Sequence, residues 1–428
     1  MSLVLLMYNL IFLLGFLAYS PVLIWRKLGQ KNYRFGLTER TGRVRRYAFD
    51  RPVIWIHGVS VGEIKAAGSM IDKLRAERPD LQLLLSTTTP TGHNFASRLY
   101  PDLPVIFFPL DFGWFPGQAL DRVRPESVLL VELEIWPVFL QAASRRHIPV
   151  NVINGRISPK SYWGYSMARI LFLPQLHLIS KYLVQDDSYR DRLISLGVEP
   201  GSVFVTGNLK YDTVMIKTPA ADAGGLRSWL AEDGRLVLVG GSTHGEEDVY
   251  LARAVKHLME VEHLRVRLIV APRHPERSAA VVEALRGQGF SCVRWGDSAG
   301  QPIRPLADRD VVVLDVIGQL ESFYEACDIA FVGGSLVPRG GQNMLEPAAL
   351  GKAVLFGPQT ENFRADVELL LRAEAAIEVQ GPEDLIRRIA ELAGDSDLRR
   401  ALGERALALI RRNQGATALT LQLLDPLL

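Results

Sequence analysis

The sequence predicts an α/β protein made of two doubly wound halves behind an apolar amino-terminal segment. Three observations carry that expectation. Short apolar, β-branched runs alternate with helical stretches, the pattern of parallel strands buried on both faces. Several of these runs stop at polar or glycine-containing loops, which would line one cleft at the carboxyl edge of a sheet. A stretch rich in Ala, Gly, Pro and Asp, Lys217 to Gly234, then separates two such series. The expected organisation is a membrane anchor over 1–25, a basic juxtamembrane segment over 26–47, a Rossmann-like domain over 48–216, a linker over 217–234, a second Rossmann-like domain over 235–412, and a last helix over 413–428 that packs back across the interdomain region.

With 428 residues the chain is long enough for two cores. Its formal net charge of +2 gives no argument for a nucleic-acid partner. Cys292 and Cys327 are the only cysteines, which excludes a disulfide scaffold and a cysteine-based zinc cluster.

Met1 to Trp25 contains no Asp, Glu, Lys, Arg or His. As a helix it would span roughly 36 Å, enough for a hydrocarbon core of about 30 Å. Arg26, Lys27, Lys31, Arg34, Arg40, Arg43, Arg45 and Arg46 follow, with Glu39 the one acid before Asp50. That bias places the body of the protein on the cytoplasmic side and attracts it to anionic headgroups. A helix lying in the interface is the alternative. A signal peptide fits poorly, because the charge follows the apolar run instead of preceding it.

In the first half, Val53–His57 reads as a buried strand, and Gly58-Val59-Ser60-Val61-Gly62-Glu63 continues it into a helix start. Glycines there let the backbone approach a ligand closely. Glu63 is a candidate general base or a helix-start acid favoured by the macrodipole. Leu81–Leu85 leads to the hydroxyl-rich Ser86–Gly92 loop with Thr89, suited to phosphate or sugar oxygens or to helix capping. Val105–Phe108 and Val128–Val131 are strands; Glu132 and Glu134 follow the second, and would share one face of extended backbone. Val150–Ile153 precedes Asn154–Ser158 with Arg156, Leu183–Gln185 precedes a polar helix, and Val203–Thr206 ends at Gly207–Asp212 with Lys210. A structural bridge from one of the two carboxylates to Lys210 is the favoured reading over direct chemistry.

The second half repeats the pattern. Leu236–Val239 precedes Gly240–Glu247, where Ser242 or Thr243 is the expected N-cap, Glu246 would complete a capping box with Thr243, and His244 either caps or meets a ligand. Val266–Val270 precedes Ala271-Pro272-Arg273-His274-Pro275; Arg273 offers a planar fork to phosphate or carboxylate. Val311–Leu314 precedes Asp315–Leu320 with Gly318 and Gln319. Phe331-Val332 precedes Gly333-Gly334-Ser335, and Gly341-Gln342-Asn343 opens a helix with Glu346 and Pro347 in its first turn. Neither a P-loop nor a clean dinucleotide fingerprint is present, and there is no metal-ligand cluster.

Taken in order, Val59–Glu63, Glu132–Pro137, Gly207–Asp212, Gly241–Glu247, Pro272–Pro275 and Gly340–Pro347 resemble the 3-deoxy-D-manno-octulosonic acid (Kdo) transferase family of lipopolysaccharide and lipid A biosynthesis. The resemblance implies a GT-B glycosyltransferase, with two Rossmann-like domains facing a central cleft. It implies an inverting transfer of Kdo from CMP-Kdo to the tetraacyldisaccharide 1,4'-bisphosphate precursor of lipid A (lipid IVA), with release of CMP. The site would be the cytoplasmic leaflet of a Gram-negative inner membrane with its anionic lipids. Glu63 matches the general base. Ser242, Thr243, His244, Arg273, His274, Gly318, Gln319, Asn343 and Glu346 fall on the donor side, Arg273 at the phosphate and Glu346 at the ribose. Ser60, Gly62, Thr89, Glu132, Glu134, Arg156 and Lys210 fall on the supporting and acceptor side. No cofactor and no divalent metal are expected. Gln319 and Gln342 depart from the commonest pattern, where Glu and His are expected. The alternative carried by the same anchor and two halves is a membrane-associated GT-B glycolipid glycosyltransferase using a different nucleotide sugar.

Overall fold

In a computed structural model of the protein, the apolar runs become strands whose side chains are buried because helices cover both faces. The structure describes residues 6–10, 13, 15, 36–47, 49–214, 225–232, 234–298 and 304–425. The chain divides into two compact units, Met1–Thr213 with Asn413–Leu428, and Val214–Arg412.

The first unit holds β1 (Val53–His57), β2 (Gln82–Thr87), β3 (Val105–Phe107), β4 (Ser127–Val131), β5 (Val150–Gly155), β6 (Lys181–Val184) and β7 (Val203–Val205). They form a parallel sheet in the order β3-β2-β1-β4-β5-β6-β7. Alternate residues of β1 feed opposite cores: Trp55 packs edge-on to Phe108 and Phe139, whereas Ile54 and Ile56 join Ile64 and Ile71. Strand order reverses between β1 and β4, so a crevice opens beyond the carboxyl ends of those two strands.

Most of the expected anchor lies outside the described residues, as do Arg26, Lys27, Lys31 and Arg34. Among the described residues no helix is long and apolar enough to cross a membrane. Residues 6–10 are helical. There the Asn9 side-chain oxygen accepts from the Gly113 amide at 2.8 Å, and the Tyr8 hydroxyl bonds the Asp111 carboxylate. Asp111 also accepts from the Val138 and Phe139 amides at 3.1 and 2.7 Å, satisfying the start of the helix Pro137–Ser144. Burial still pushes its carboxyl up to about 6. Part of the basic segment is folded onto the sheet: Glu39 accepts from the Phe107 amide at 2.7 Å, Arg40 donates to the Thr88 carbonyl, and Val44 is fully buried. Arg43, Arg45 and Arg46 remain exposed.

The second unit holds β8 (Leu236–Thr243), β9 (Val266–Pro272), β10 (Ser291–Arg294), β11 (Asp310–Val313), β12 (Ile329–Val332), β13 (Ala353–Phe356) and β14 (Ile377–Glu378), again parallel, in the order β10-β11-β9-β8-β12-β13-β14. The edge strands β10 and β14 escape the sequence reading, because one is half exposed and the other only two residues long. β8 runs four residues further than its apolar run. Gly240 and Gly241 are strand residues there, and a Cβ on Gly241 would sit 1.8 Å from the Tyr324 hydroxyl. The N-cap expectation for Ser242 or Thr243 therefore fails. Ser242 is left-handed (φ 54°), Thr243 ends the strand, and the helix Glu247–Glu260 starts after Glu246 without a side-chain cap.

Of the expected linker, residues 217–224 and 233 lie outside the described residues, and Leu226–Leu230 is a helix of the second unit, with Arg227 paired to Asp328 at 2.9 Å. The last helix, Ala416–Leu424, belongs to the first unit. Asp212 accepts from the Gly415 and Thr417 amides at 2.7 and 2.6 Å, and Thr417 meets Ser69 at 2.9 Å.

Strand order in the second sheet reverses between β8 and β12, and one side chain ties the loops that follow them. Glu247 is completely buried. Its Oε2 accepts from the His244 and Gly334 amides, both at 2.8 Å, and its Oε1 from Ser335 and Leu336 at 3.1 and 2.9 Å. Burial raises this carboxyl and the four amides oppose the rise. Glu247→Ala leaves four buried amides without a partner and is expected to cost about 3 kcal/mol or more in denaturant unfolding. Glu247→Gln, which keeps one acceptor oxygen, loses less. An alanine variant as stable as the parent would contradict this role.

Candidate functional site

Glu63 stands beyond the end of β1 in the helix Val61–Ala66, capped by Ser60. The Ser60 hydroxyl accepts from the Glu63 amide at 3.5 Å and donates to Glu63 Oε1 at 3.0 Å, while the Val59 amide donates to Oε2 at 2.6 Å. The helix-start and functional readings of Glu63 thus coexist: the cap holds a half-buried carboxylate in one orientation. A Cβ on Gly62 would meet only Ser60 Oγ, at 3.7 Å, so no protein contact requires the glycine. Thr89 caps the helix Pro90–Leu99 by accepting from the Gly92 amide at 3.1 Å, the capping alternative for that loop.

β4 ends beside β1 and delivers Glu132 and Glu134 to the same crevice. The two do not share a face of extended backbone, because Glu132 is left-handed (φ 63°) and turns the chain. Glu132 pairs with Arg156 Nε at 2.7 Å. Glu134 lies close enough to Glu63 and Glu132 for their charges to act on it; burial first, then these two carboxylates, push it up to about 7. Burial also raises Glu63 and the Glu132 charge adds to the rise, while the Val59 amide, the Ser60 hydroxyl and Arg156 oppose it. Tyr165 is the next neighbour outward. Burial pushes its phenol up to about 12, with Glu134 adding to the rise. Beside this cluster Asn154 (φ 52°) accepts from the Leu209 amide at 3.1 Å and so fixes the loop that carries Lys210.

In the second unit the loop Ser242–Glu246 lies at the strand reversal. His244 is nearly buried; its ring lies edge-on to His274, with centroids 5.6 Å apart. Burial lowers its basicity, and His274, Arg277, Arg339 and Arg273 lower it further, so four cationic or protonatable groups surround a neutral imidazole. Arg273 and His274 are exposed. Arg277 instead braces the loop. It donates to the Thr243 and Gly245 carbonyls at 3.1 and 2.9 Å and pairs with buried Asp248 at 3.1 Å. Asn343 donates to Glu346 at 2.9 Å and accepts from the Leu345 amide at 3.2 Å, which fixes the helix Leu345–Ala349 as the sequence suggests. Gly318 is left-handed (φ 89°), and Gln319 next to it accepts from the Trp295 indole. Arg277, Arg339 and Glu247 escape the sequence reading. Their only signals are an arginine four residues after Arg273, an arginine before Gly340-Gly341, and the second of two glutamates.

The Glu134 carboxyl has a consequence for stability. Its folded value of about 7 lies above the ordinary glutamate value, so the native state holds more protons across the interval between them. Native stability is then lost as pH rises through about 7. Glu134→Gln removes that loss. Its Tm relative to the parent is expected to grow from about pH 5 to about pH 8, each ~1 kcal/mol reading as roughly 2–4 °C in a domain of this size. A pH-independent difference would contradict the assignment.

A family model described as 3-deoxy-D-manno-octulosonic-acid transferase (kdotransferase) matches residues 34–213. The 3-deoxy-D-manno-octulosonic acid transferase of Haemophilus influenzae is 31% identical over 399 residues, covering 92% of this chain and 92% of its own. That of Bordetella pertussis is 30% identical over 380 residues, covering 87% and 86%. Among solved structures, a glycosyltransferase from Rickettsia africae superposes with a TM-score of 0.56 at 13% identity, covering 89% of this chain and 99% of its own, a likeness of fold. With two parallel seven-stranded sheets among the described residues, the fold is of the GT-B class. The chain belongs to the Kdo transferase family of glycosyltransferases.

Proposed function

We propose that the protein transfers Kdo from CMP-Kdo to lipid IVA, with inversion at the anomeric carbon and release of CMP. The observation that carries this reading is the carboxylate cluster at the first strand reversal, where two glutamates of similar burial differ in their hydrogen bonds. Glu63 has two donors that favour its charged form, and Glu134 is raised by every group that acts on it. Glu134 therefore holds its proton to higher pH than an ordinary glutamate, and Glu63, whose charged form has two donors, is the one assigned as the base. Glu63 takes the proton of an acceptor hydroxyl as that oxygen bonds to the anomeric carbon. The carbon–oxygen bond to the CMP phosphate breaks in the same displacement, and CMP carries away the electron pair.

The cationic rim of the second unit supports an anionic donor. Arg273, with Arg339 and His274 near it, would receive the phosphate and offset the charge that develops on CMP. Asn343 orients Glu346 toward a ribose hydroxyl pair. No step is assigned to a divalent metal, because CMP is already a good leaving group. The exposed Arg43, Arg45 and Arg46 favour the anionic cytoplasmic leaflet of the inner membrane as the place where the acceptor is met.

The test is transfer from a CMP-Kdo-generating mixture to lipid IVA, followed by mass spectrometry of the lipid. One or more added Kdo masses are expected; their absence, or transfer from a different nucleotide sugar, would contradict the proposal. Glu63→Gln keeps an acceptor for the Val59 amide and should fold normally, while turnover falls by roughly 10²–10⁴-fold. Unchanged turnover would remove Glu63 as the base. Activity should persist in excess EDTA, and a loss restored by magnesium would place a metal in the step.

A further inference from the structure

Among the described residues no hydrogen bond reaches the Glu134 carboxyl, so the backbone that carries it decides where it lies. That backbone is the loop Glu132–Trp136, and each end has its own fastening. At the β4 end the Glu132 amide donates to the Ile153 carbonyl at 2.8 Å, and the Glu132 carboxylate holds Arg156. The other end is the start of the helix Pro137–Ser144. A helix start is ordinarily closed by the side chain of its own N-cap, which accepts from the second or third amide. The N-cap here is Trp136, whose side chain makes no such bond. Asp111 takes its place from 27 and 28 residues away, with Oδ2 on the Val138 amide and Oδ1 on the Phe139 amide.

Asp111 is itself fixed. It is 1% exposed, and the segment leading to it from β3 carries Phe108, which packs on Trp136 with ring centroids 5.7 Å apart. Trp136 also lies edge-on to His57, the last residue of β1. The loop that bears Glu134 is thus held against the ends of β1, β3 and β5 together. A third donor reaches Asp111 from outside the sheet, the Tyr8 hydroxyl of the amino-terminal helix. A carboxylate this buried keeps its charge, and so its grip on two amides, only while donors surround it. We infer that Asp111 is a positioning residue for the reaction, placing Glu134 beside Glu63 through the amides of Val138 and Phe139, and that Tyr8 makes the amino-terminal helix part of this support. This role rests on the proposed assignment of Glu63 as base and Glu134 as proton holder.

The test compares the full chain with Asp111→Ala, Asp111→Asn, Tyr8→Phe, and Tyr8→Phe combined with Asp111→Ala. Leu74→Ala, a truncation in the other core of the same sheet, controls for lost stability. In Asp111→Ala, kcat should fall roughly 10–10²-fold while the KM for the nucleotide-sugar donor changes little, because only the carboxylates are misplaced. The carbon-13 titration of the Glu134 carboxyl should move from about 7 toward the ordinary glutamate value, since a loosened loop admits water. Asp111→Asn, which keeps one acceptor oxygen, should show both changes in smaller measure, and Tyr8→Phe smaller again. These two variants carry the test should the alanine variant fail to fold. Tyr8→Phe should add nothing in the Asp111→Ala background, because the hydroxyl acts through that carboxylate. A Glu134 midpoint unmoved by the Asp111 variants would overturn the inference. So would a kcat loss no larger than that of Leu74→Ala, or a Tyr8→Phe effect of equal size in both backgrounds. If the parent transfers no Kdo, the proposed reaction fails, and the titrations, which need no substrate, still decide the role of Asp111.

Discussion

A carboxylate withdrawn from water must find hydrogen-bond donors or keep a proton, and this constraint organises both units. Glu247 meets it with four backbone amides, and in doing so it locks two loops at the reversal of the second sheet. Asp111 meets it with two amides and the Tyr8 hydroxyl, which seats the amino-terminal helix on the first unit. Glu63 meets it with one amide and one hydroxyl and stays available for chemistry. Glu134 is left with charges that oppose its ionisation and keeps its proton toward neutrality. Four carboxyls, two fully and two partly buried, thus serve as a strut, a dock, a base and a proton holder, sorted by how many donors reach them.

The positions of these groups follow from topology. In each sheet the chain reverses its lateral direction once, between β1 and β4 and between β8 and β12. Loops diverge at such a reversal and leave a crevice that side chains must line. Glu63, Glu132 and Glu134 come from the two strands at the first reversal. The Ser242–Glu247 loop and Gly333–Ser335 come from the two at the second. Glycine matters where backbone meets neighbour, as at Gly241 against Tyr324.

Much of this is legible in residue order. The buried parallel strands announce themselves as continuous apolar runs, and the run Val53–His57 coincides with β1 at both ends. Glu63 is visible because it follows such a run through a glycine-containing turn. Less is legible where burial and pattern part company. β10 and β14 lie at an edge, where one face of the alternation is lost to solvent. The end of β8 is hidden because Gly240 and Gly241, packed against Leu251 and Tyr324, look like a loop. The partner of Glu132 depends on a left-handed residue that local sequence does not reveal. Arg277 and Arg339 resemble ordinary surface arginines, and only the fold gathers them around His244.

The central claim is that hydrogen bonding separates two neighbouring glutamates into a base and a proton holder. Carbon-13 NMR of protein labelled at glutamate carboxyls tests it most directly, with Glu63→Gln and Glu134→Gln supplying the assignments. The account predicts that Glu134 titrates near neutrality, that Glu63 titrates below it, and that Glu63→Gln, which removes a charge raising Glu134, moves Glu134 lower. Glu63 retaining its proton to higher pH than Glu134 would contradict it.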